Sequence, residues 1–423
     1  MHLPRRARQV SLGTGLTLAL ALGTTVACNA EDAGRDPAPS GPSASSSASV
    51  SGQETEPANT ASPETDARGV PDLKVTTIAE GLDHPWDAAP IGNGALLFTQ
   101  RERATLSVLT KGGTVRTVDF PSENVWVSGE TGLMGLAVDP NFAKNRRFYT
   151  CQGATTSTGH DVRVKAWKLS DDGTKALRRG TLVAGFPTSS GRHGGCRLLV
   201  ADDGALHVGT GDAAIGTNPE NLRSLGGKTL RLNRFTGKPW PGNPFAKATN
   251  QRKRYVYTYG HRNVQGLAQR NDGTVWNVEH GSYRDDEVNK LVKGGDYGWN
   301  PVSSNGSTTY DESVPMTDFS LPGRQVGARW RSGDPTVAPS GGTFVYGKKW
   351  GGLRGTMAVG VLKDTEVLFL RFDSRGRLKG VKAPQSLKQY GRIRQVVQIP
   401  GNDVVLLTDN GDGNDVILRV SPR

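Results

Sequence analysis

From residue 71 to residue 423 the apolar positions come in short runs, among them GALLFTQ, RFYTCQG, ALHVGTG, TVWNVEH, GTFVYG, EVLFLRF, DVVLLTD and DVILRV. Helical periodicity is nearly absent, and β-branched and aromatic residues crowd these runs, as half-buried strands require. Many runs follow a tight-turn signal, as in GNGALL, DDGALH, NDGTVW, SRGRLK and GNDVVL, where glycine supplies the backbone freedom a short turn needs. The pattern predicts an all-β domain over 71–423. The recurrence of turn and strand fits propeller blades of about four strands, and the length predicts roughly six blades. A propeller collects its loops at one end of a central channel, and ligands are expected at that mouth.

The N-terminus follows another rule. MHLPRRARQV is basic, SLGTGLTLALALGTTVA is apolar but short for a membrane span, and TVAC ends it with small residues and a cysteine. Residues 1–27 read as an export signal, and Cys28 as the lipidated first residue of the mature protein, the alternative being ordinary cleavage. Residues 28–70, with stretches such as APSGPSASSSASVSG, hold too few apolar side chains to fold and read as a tether. The chain would then be exported and anchored to the outer face of the cytoplasmic membrane. Two cysteines remain, Cys151 and Cys196, and an exported chain favours their pairing as a disulfide.

A formal charge of +12 raises nucleic acid as a partner. Yet the lysines and arginines interleave with acids, and no helix-turn-helix pattern, zinc-finger spacing or basic run supports it. Nucleic acid is therefore not expected. The seven histidines show no metal-ligand spacing, which argues against zinc hydrolysis, and no G-x-S-x-G elbow or phosphate loop is present.

What remains is a set of local candidates. His193 stands in SGRHGGCRLL between an arginine and two glycines, directly before a strand. EHGSYRDDEVN offers Asp285, Asp286 and Glu287 beside a glycine turn, oxygen ligands of the kind Ca²⁺ takes, or else a solvated acidic turn. Cations recur at Arg262 with Asn263 in YGHRNVQG, at Lys363 in GVLKDTE, and at Arg392 and Arg394 in GRIRQV. Two residues apart on a strand face the same way, so Arg392 and Arg394 should repel unless an anion sits between them.

Taken in order, GLDHPWDAAPIGNGALLFTQR, GETGLMGLAVDPNF, HGGCRLLVADDGALHVGTGD, YGHRNVQGL, EHGSYRDDEVN, GGDYGWNP and GRIRQV resemble the soluble glucose/sorbosone dehydrogenases that depend on pyrroloquinoline quinone (PQQ). The likeness covers nearly all of 71–423 and implies a six-bladed β-propeller. It further implies that His193 is a general base, Asp212 the acid that orients it, and Glu130 a neighbour of that histidine. By the same resemblance Arg262 and Asn263 lie beside the cofactor, while Lys363, Arg392 and Arg394 clamp its carboxylates. The carbonyls of Gly281 and Ser282 would hold a Ca²⁺ that bridges to PQQ, and Asp286, Glu287 and the Tyr297 carbonyl a second, structural Ca²⁺. The chain departs from the family at Arg192, where glucose-oxidising members carry an acid, at Ser282, which replaces a proline, and over residues 213–221.

The expectation is thus a PQQ- and Ca²⁺-dependent oxidation of an aldose or related hydroxyl to a lactone or acid, with a small-molecule sugar as substrate. No residue names the electron acceptor. The alternatives are a non-catalytic propeller that binds carbohydrate or protein, and a calcium-dependent hydrolase of the lactonase kind.

Overall fold

A computed structural model describes residues 69–302 and 309–423. The export signal, Cys28 and the tether up to residue 68 lie outside the described residues. Among those described, no helix is long and apolar enough to cross a membrane.

The strands form six four-stranded antiparallel sheets, the blades of a propeller. Blade 1 holds Pro85–Gly92, Ala95–Gln100, Thr105–Leu109 and Val115–Val118. Blade 2 holds Leu133–Val138, Arg147–Thr156, Gly159–Leu169 and Ala176–Phe186. Gly195–Val200, Ala205–Thr210, Thr229–Asn233 and Val256–Thr258 make blade 3. Val264–Gln269, Val275–Glu279, Glu287–Lys290 and Trp330–Arg331 make blade 4. Blade 5 is Pro339–Phe344, Met357–Val361, Val367–Phe372 and Leu378–Lys382.

Blade 6 joins the two ends of the domain. Ile393–Gln398, Val404–Thr408 and Asp415–Pro422 supply three strands, and Leu73–Leu82 completes the sheet from the beginning of the chain. Leu73 pairs with Pro422 and Leu82 with Asp415, so the ring is closed by backbone hydrogen bonds rather than by packing alone. This pairing ties the start of the chain to its end and opposes opening between the first and last blades.

Near-continuous buried runs, as in Met357–Val361 and Val404–Thr408, give the inner strands two buried faces, and the core is divided accordingly. Among the described residues six apolar clusters each fill the space between neighbouring blades; Leu97, Leu106, Phe148 and Trp167, for example, lie between blades 1 and 2. The first strand of every blade touches the first strands of its two neighbours around the central channel. There the packing is polar. Asp87 accepts from Gln395 at 2.7 Å and pairs with buried Arg197 at 2.8 Å, whose guanidinium lies 3.9 Å from the centre of the Trp86 ring.

Candidate functional site

The first and second strands of a blade are antiparallel, so the start of the first and the end of the second lie at the same end of the ring. Most candidates, and with them His280, occupy one of these two places. Glu130, His193, Arg262 and Arg392 precede first strands; Asp212, His280 and Lys363 follow second strands. The fold therefore gathers at one mouth residues that are far apart in sequence.

His193 sits in a left-handed backbone conformation, φ 52°, and is buried. A Cβ on Gly211 would overlap the His193 carbonyl oxygen, so that glycine is what lets the two loops approach. Behind it, Cys196 is bonded to Cys151 across blades 2 and 3, with Cα atoms 5.4 Å apart.

The His193 ring meets Asp212, Nδ1 to Oδ1 at 2.7 Å. Asp212 is fully buried and accepts three more hydrogen bonds: from the Ala214 amide at 2.8 Å, Trp299 Nε1 at 2.9 Å and the Tyr310 hydroxyl at 2.6 Å. These donors hold the carboxylate in place, and with its Oδ1 facing the ring the His193 proton sits on Nδ1. The Tyr310 hydroxyl also lies 3.3 Å from Nδ1. Both ring contacts made by described residues are at Nδ1, and Nε2 keeps its lone pair.

Glu130 approaches from blade 2, accepting from Asn263 Nδ2 at 2.9 Å. Burial works to raise its pKa. Hydrogen bonds from Asn263 and the His193 amide, with the attraction His193 and His280 exert when protonated, overcome this and hold the carboxyl below the usual glutamate value. His280, whose Nε2 is buried without a partner among the described residues, is pushed down to about 3 by burial and by the charges of Arg394 and Arg262. It is a neutral imidazole at working pH.

The cationic candidates do not form one uniform clamp. Arg392 and Arg394 do share an anion, but it belongs to the chain: Asp409 Oδ2 lies 2.6 Å from Arg394 and 3.8 Å from Arg392. Arg394 is buried and also donates to Gln265 at 3.1 Å. Arg392 is 46% exposed, and Lys363 is exposed with one long contact to Thr336 at 3.4 Å. Arg262 is buried, with Nε unpartnered among the described residues, and reaches Glu312 at 3.3 Å.

A planar tricarboxylate fits this donor set: Lys363 and Arg392 offer accessible cations, and buried Arg262 keeps an unused donor. For a divalent cation, no backbone amide of the described residues donates to the carbonyls of Gly281 or Ser282, which leaves both oxygens available as ligands. The acidic triplet behaves differently. The carboxylate of Asp286 accepts from the amides of Gly281 at 2.8 Å, Val337 at 2.6 Å and Ala338 at 2.9 Å, tying the loop to blade 5.

Glu287 turns inward, opposite Glu279 in the sheet, and accepts from Asn289 at 3.1 Å and Thr317 at 3.2 Å. Burial and the facing Glu279 push it up to about 8. Asp286 and Glu287 thus point apart and do not share one ligand set. Tyr297 is also buried, its ring stacked on His261 at 4.5 Å and its hydroxyl donating to the Lys290 carbonyl at 2.7 Å. The buried amide oxygens of Asn277 and Asn289 lack partners near Glu279 and Glu287, which gives that pocket the oxygen donors a hard cation takes.

Besides His280, which follows the second strand of blade 4, four residues that the sequence reading missed complete the site: Trp299, Tyr310, Glu312 and Asp409. Glu312 is paired with both Arg192 and Arg262. Asp409 had a signal, because it follows the second strand of blade 6 as Asp212 follows that of blade 3. The other three lie in the long excursion between the third and fourth strands of blade 4, where no periodicity marks them.

Residues 82–419 match the family model for glucose/sorbosone dehydrogenase. An uncharacterized protein of Synechocystis is 32% identical over 81% of this chain and 85% of its own. Aldose sugar dehydrogenase of Escherichia coli is 29% identical over 83% of this chain and 93% of its own. Among solved structures, the PQQ-bound aldose sugar dehydrogenase of Streptomyces coelicolor superposes with a TM-score of 0.66 at 27% identity, covering 85% of this chain and all of that one.

Proposed function

Since the chain belongs to the glucose/sorbosone dehydrogenase family, we propose that it oxidises the hydroxyl of an aldose or related sugar to a lactone or acid, with PQQ and Ca²⁺ as cofactors. The observation that carries this reading is the buried His193–Asp212 pair at 2.7 Å beneath a cationic mouth. A binding module has no need of a base fixed in one tautomer by a carboxylate that itself accepts three other hydrogen bonds. The PQQ-bound relative from Streptomyces coelicolor and the aldose dehydrogenase of Escherichia coli support the cofactor and the substrate class.

In this reading His193 Nε2 takes the proton of the sugar hydroxyl, and Asp212 stabilises the imidazolium that forms. Trp299, Tyr310 and the Ala214 amide keep Asp212 from turning away as the charge on the ring changes. Lys363, Arg392 and Arg262 would hold the carboxylates of PQQ, and the carbonyls of Gly281 and Ser282 a Ca²⁺ beside it. When bound, the quinone supplies the hydride acceptor and the cation polarises it. Glu130 and neutral His280 stand near His193 without adding a second strong base.

The export signal, lipidated Cys28 and tether would place this activity outside the cytoplasmic membrane, and the Cys151–Cys196 disulfide accords with an oxidising compartment. The test is reconstitution of purified protein with PQQ and Ca²⁺, followed by a sugar panel with an artificial electron acceptor. Reduction that requires PQQ and an aldose is expected; bound cofactor with no reduction by any aldose, polyol or sorbosone-like compound would remove the enzyme.

A further inference from the structure

Residues 309–313 form a strap across the base. Tyr310 bridges to Val302, and its hydroxyl contacts both Asp212 and His193. Asp311 serves the strap itself, accepting from the Ser313 amide at 2.9 Å and the Ser313 hydroxyl at 2.6 Å. Glu312, two residues after Tyr310, returns to the site. One carboxylate oxygen is paired with Arg192, the residue before the base, and the other with Arg262 at 3.3 Å. The Arg192 guanidinium lies 5.8 Å from the centre of the Tyr310 ring, so strap and arginine brace one another.

We propose that Glu312 is a specificity-determining residue that reads the hydroxyls of the substrate and makes the site prefer neutral aldoses to sugar acids. This rests on the function proposed above and narrows its substrate class. A carboxylate has about four lone-pair positions. The two guanidinium contacts leave the others for hydroxyl donors, and the arginines fix the group in advance of binding. Its side chain is 14% exposed, open enough to be reached yet immobilised.

The sign of the preference follows from charge. Arg192 and Arg262 alone would attract an anionic sugar. With Glu312 between them that attraction is satisfied internally, and a second carboxylate would meet a like charge at close range.

The experiment compares glucose with glucuronate by isothermal titration calorimetry on the PQQ- and Ca²⁺-loaded protein, for wild type, Glu312→Gln and Arg192→Gln. Melting temperature and PQQ affinity are measured alongside. Wild type should favour glucose. Glu312→Gln should weaken glucose binding by about tenfold or more, as loss of a charged hydrogen-bond partner does, and tighten glucuronate. Arg192→Gln should shift the ratio less, since Arg262 still holds the carboxylate.

An unchanged glucose-to-glucuronate ratio in a normally folded Glu312→Gln protein overturns the proposal. So does tighter PQQ binding in that variant with the ratio unchanged, which would make Glu312 a plug for the cofactor's arginine. If the ratio shifts as expected while no sugar is ever oxidised, the enzyme reading fails and the specificity assignment stands for a binding site.

Discussion

Asp409 Oδ2 lies 2.6 Å from the buried guanidinium of Arg394 and 3.8 Å from that of Arg392, so one carboxylate of the chain serves two arginines of unequal exposure. The two substitutions should therefore differ in kind. Arg394→Ala strands Asp409 in the interior, and breaking a buried pair costs about 3–5 kcal/mol. Arg392→Ala leaves the Arg394–Asp409 pair intact and removes an accessible cation. It should lower PQQ affinity by roughly tenfold with little change in melting, whereas Arg394→Ala lowers the melting temperature first. Thermal melts and PQQ titrations of both variants separate the two effects.

The disulfide should matter to stability and to the base together. Cys151 and Cys196 are 45 residues apart, and closing a loop of that length constrains the unfolded chain by about 4 kcal/mol in the chain-entropy account. Cys196 also follows His193 by three residues, in the first strand of blade 3. A Cys151→Ser, Cys196→Ser double variant should unfold at lower denaturant and lose turnover more than sugar affinity. Denaturation midpoints and steady-state kinetics, each measured with and without reductant on the wild type, check both parts.

What the sequence made legible divides along physical lines. Strands of blades, their turns and their number were readable because alternation and turn chemistry act over a few residues, as in GNGALLFTQ and DDGALHVGTG. His193 and Asp212 were readable through resemblance, and the pairing of Cys151 with Cys196 through export chemistry. Trp299 and Tyr310 could not be, since each meets Asp212 across 87 and 98 residues of chain with no repeat to mark the meeting. The partners of the acidic triplet were hidden for a related reason. Asp286 stands just before the strand Glu287–Lys290 and accepts from loop amides, whereas Glu287 opens that strand and faces Glu279.

Acid sensitivity should come from histidines buried neutral. His207, on the second strand of blade 3, is pushed down to about 3 by burial and by the charge of Arg231, with Asp203 opposing weakly. An unfolded chain would protonate it near 6.5. Between those values the unfolded state binds more protons, so stability rises with pH through this window and is lost as pH falls through it. His207→Gln should flatten the dependence between pH 4 and 6 by up to about 1.4 kcal/mol per pH unit, the linkage for one proton. Chemical denaturation at pH 4, 5, 6 and 7 measures the slope; an identical slope in the variant would assign the acid limb to His280 and the buried carboxylates instead.

The decisive prediction concerns His193. Its Nδ1 is engaged by Asp212 at 2.7 Å and approached by Tyr310 at 3.3 Å, so the nitrogen that can accept a proton is Nε2. His193→Ala should bind PQQ and sugar as the wild type does and lose about 10²- to 10⁴-fold in turnover, the usual contribution of a general base. Asp212→Asn keeps the base and should cost less in rate, but it sets an amide NH₂ against groups that donate to Asp212. Trp299 Nε1 and the Ala214 amide cannot reverse their roles, so this variant should also lose stability. Rapid-mixing measurement of the reductive half-reaction in the loaded protein isolates the chemical step. Full activity in a well-folded His193→Ala protein would show that the substrate proton leaves by another route, and the base would have to be sought among Glu130 and its neighbours.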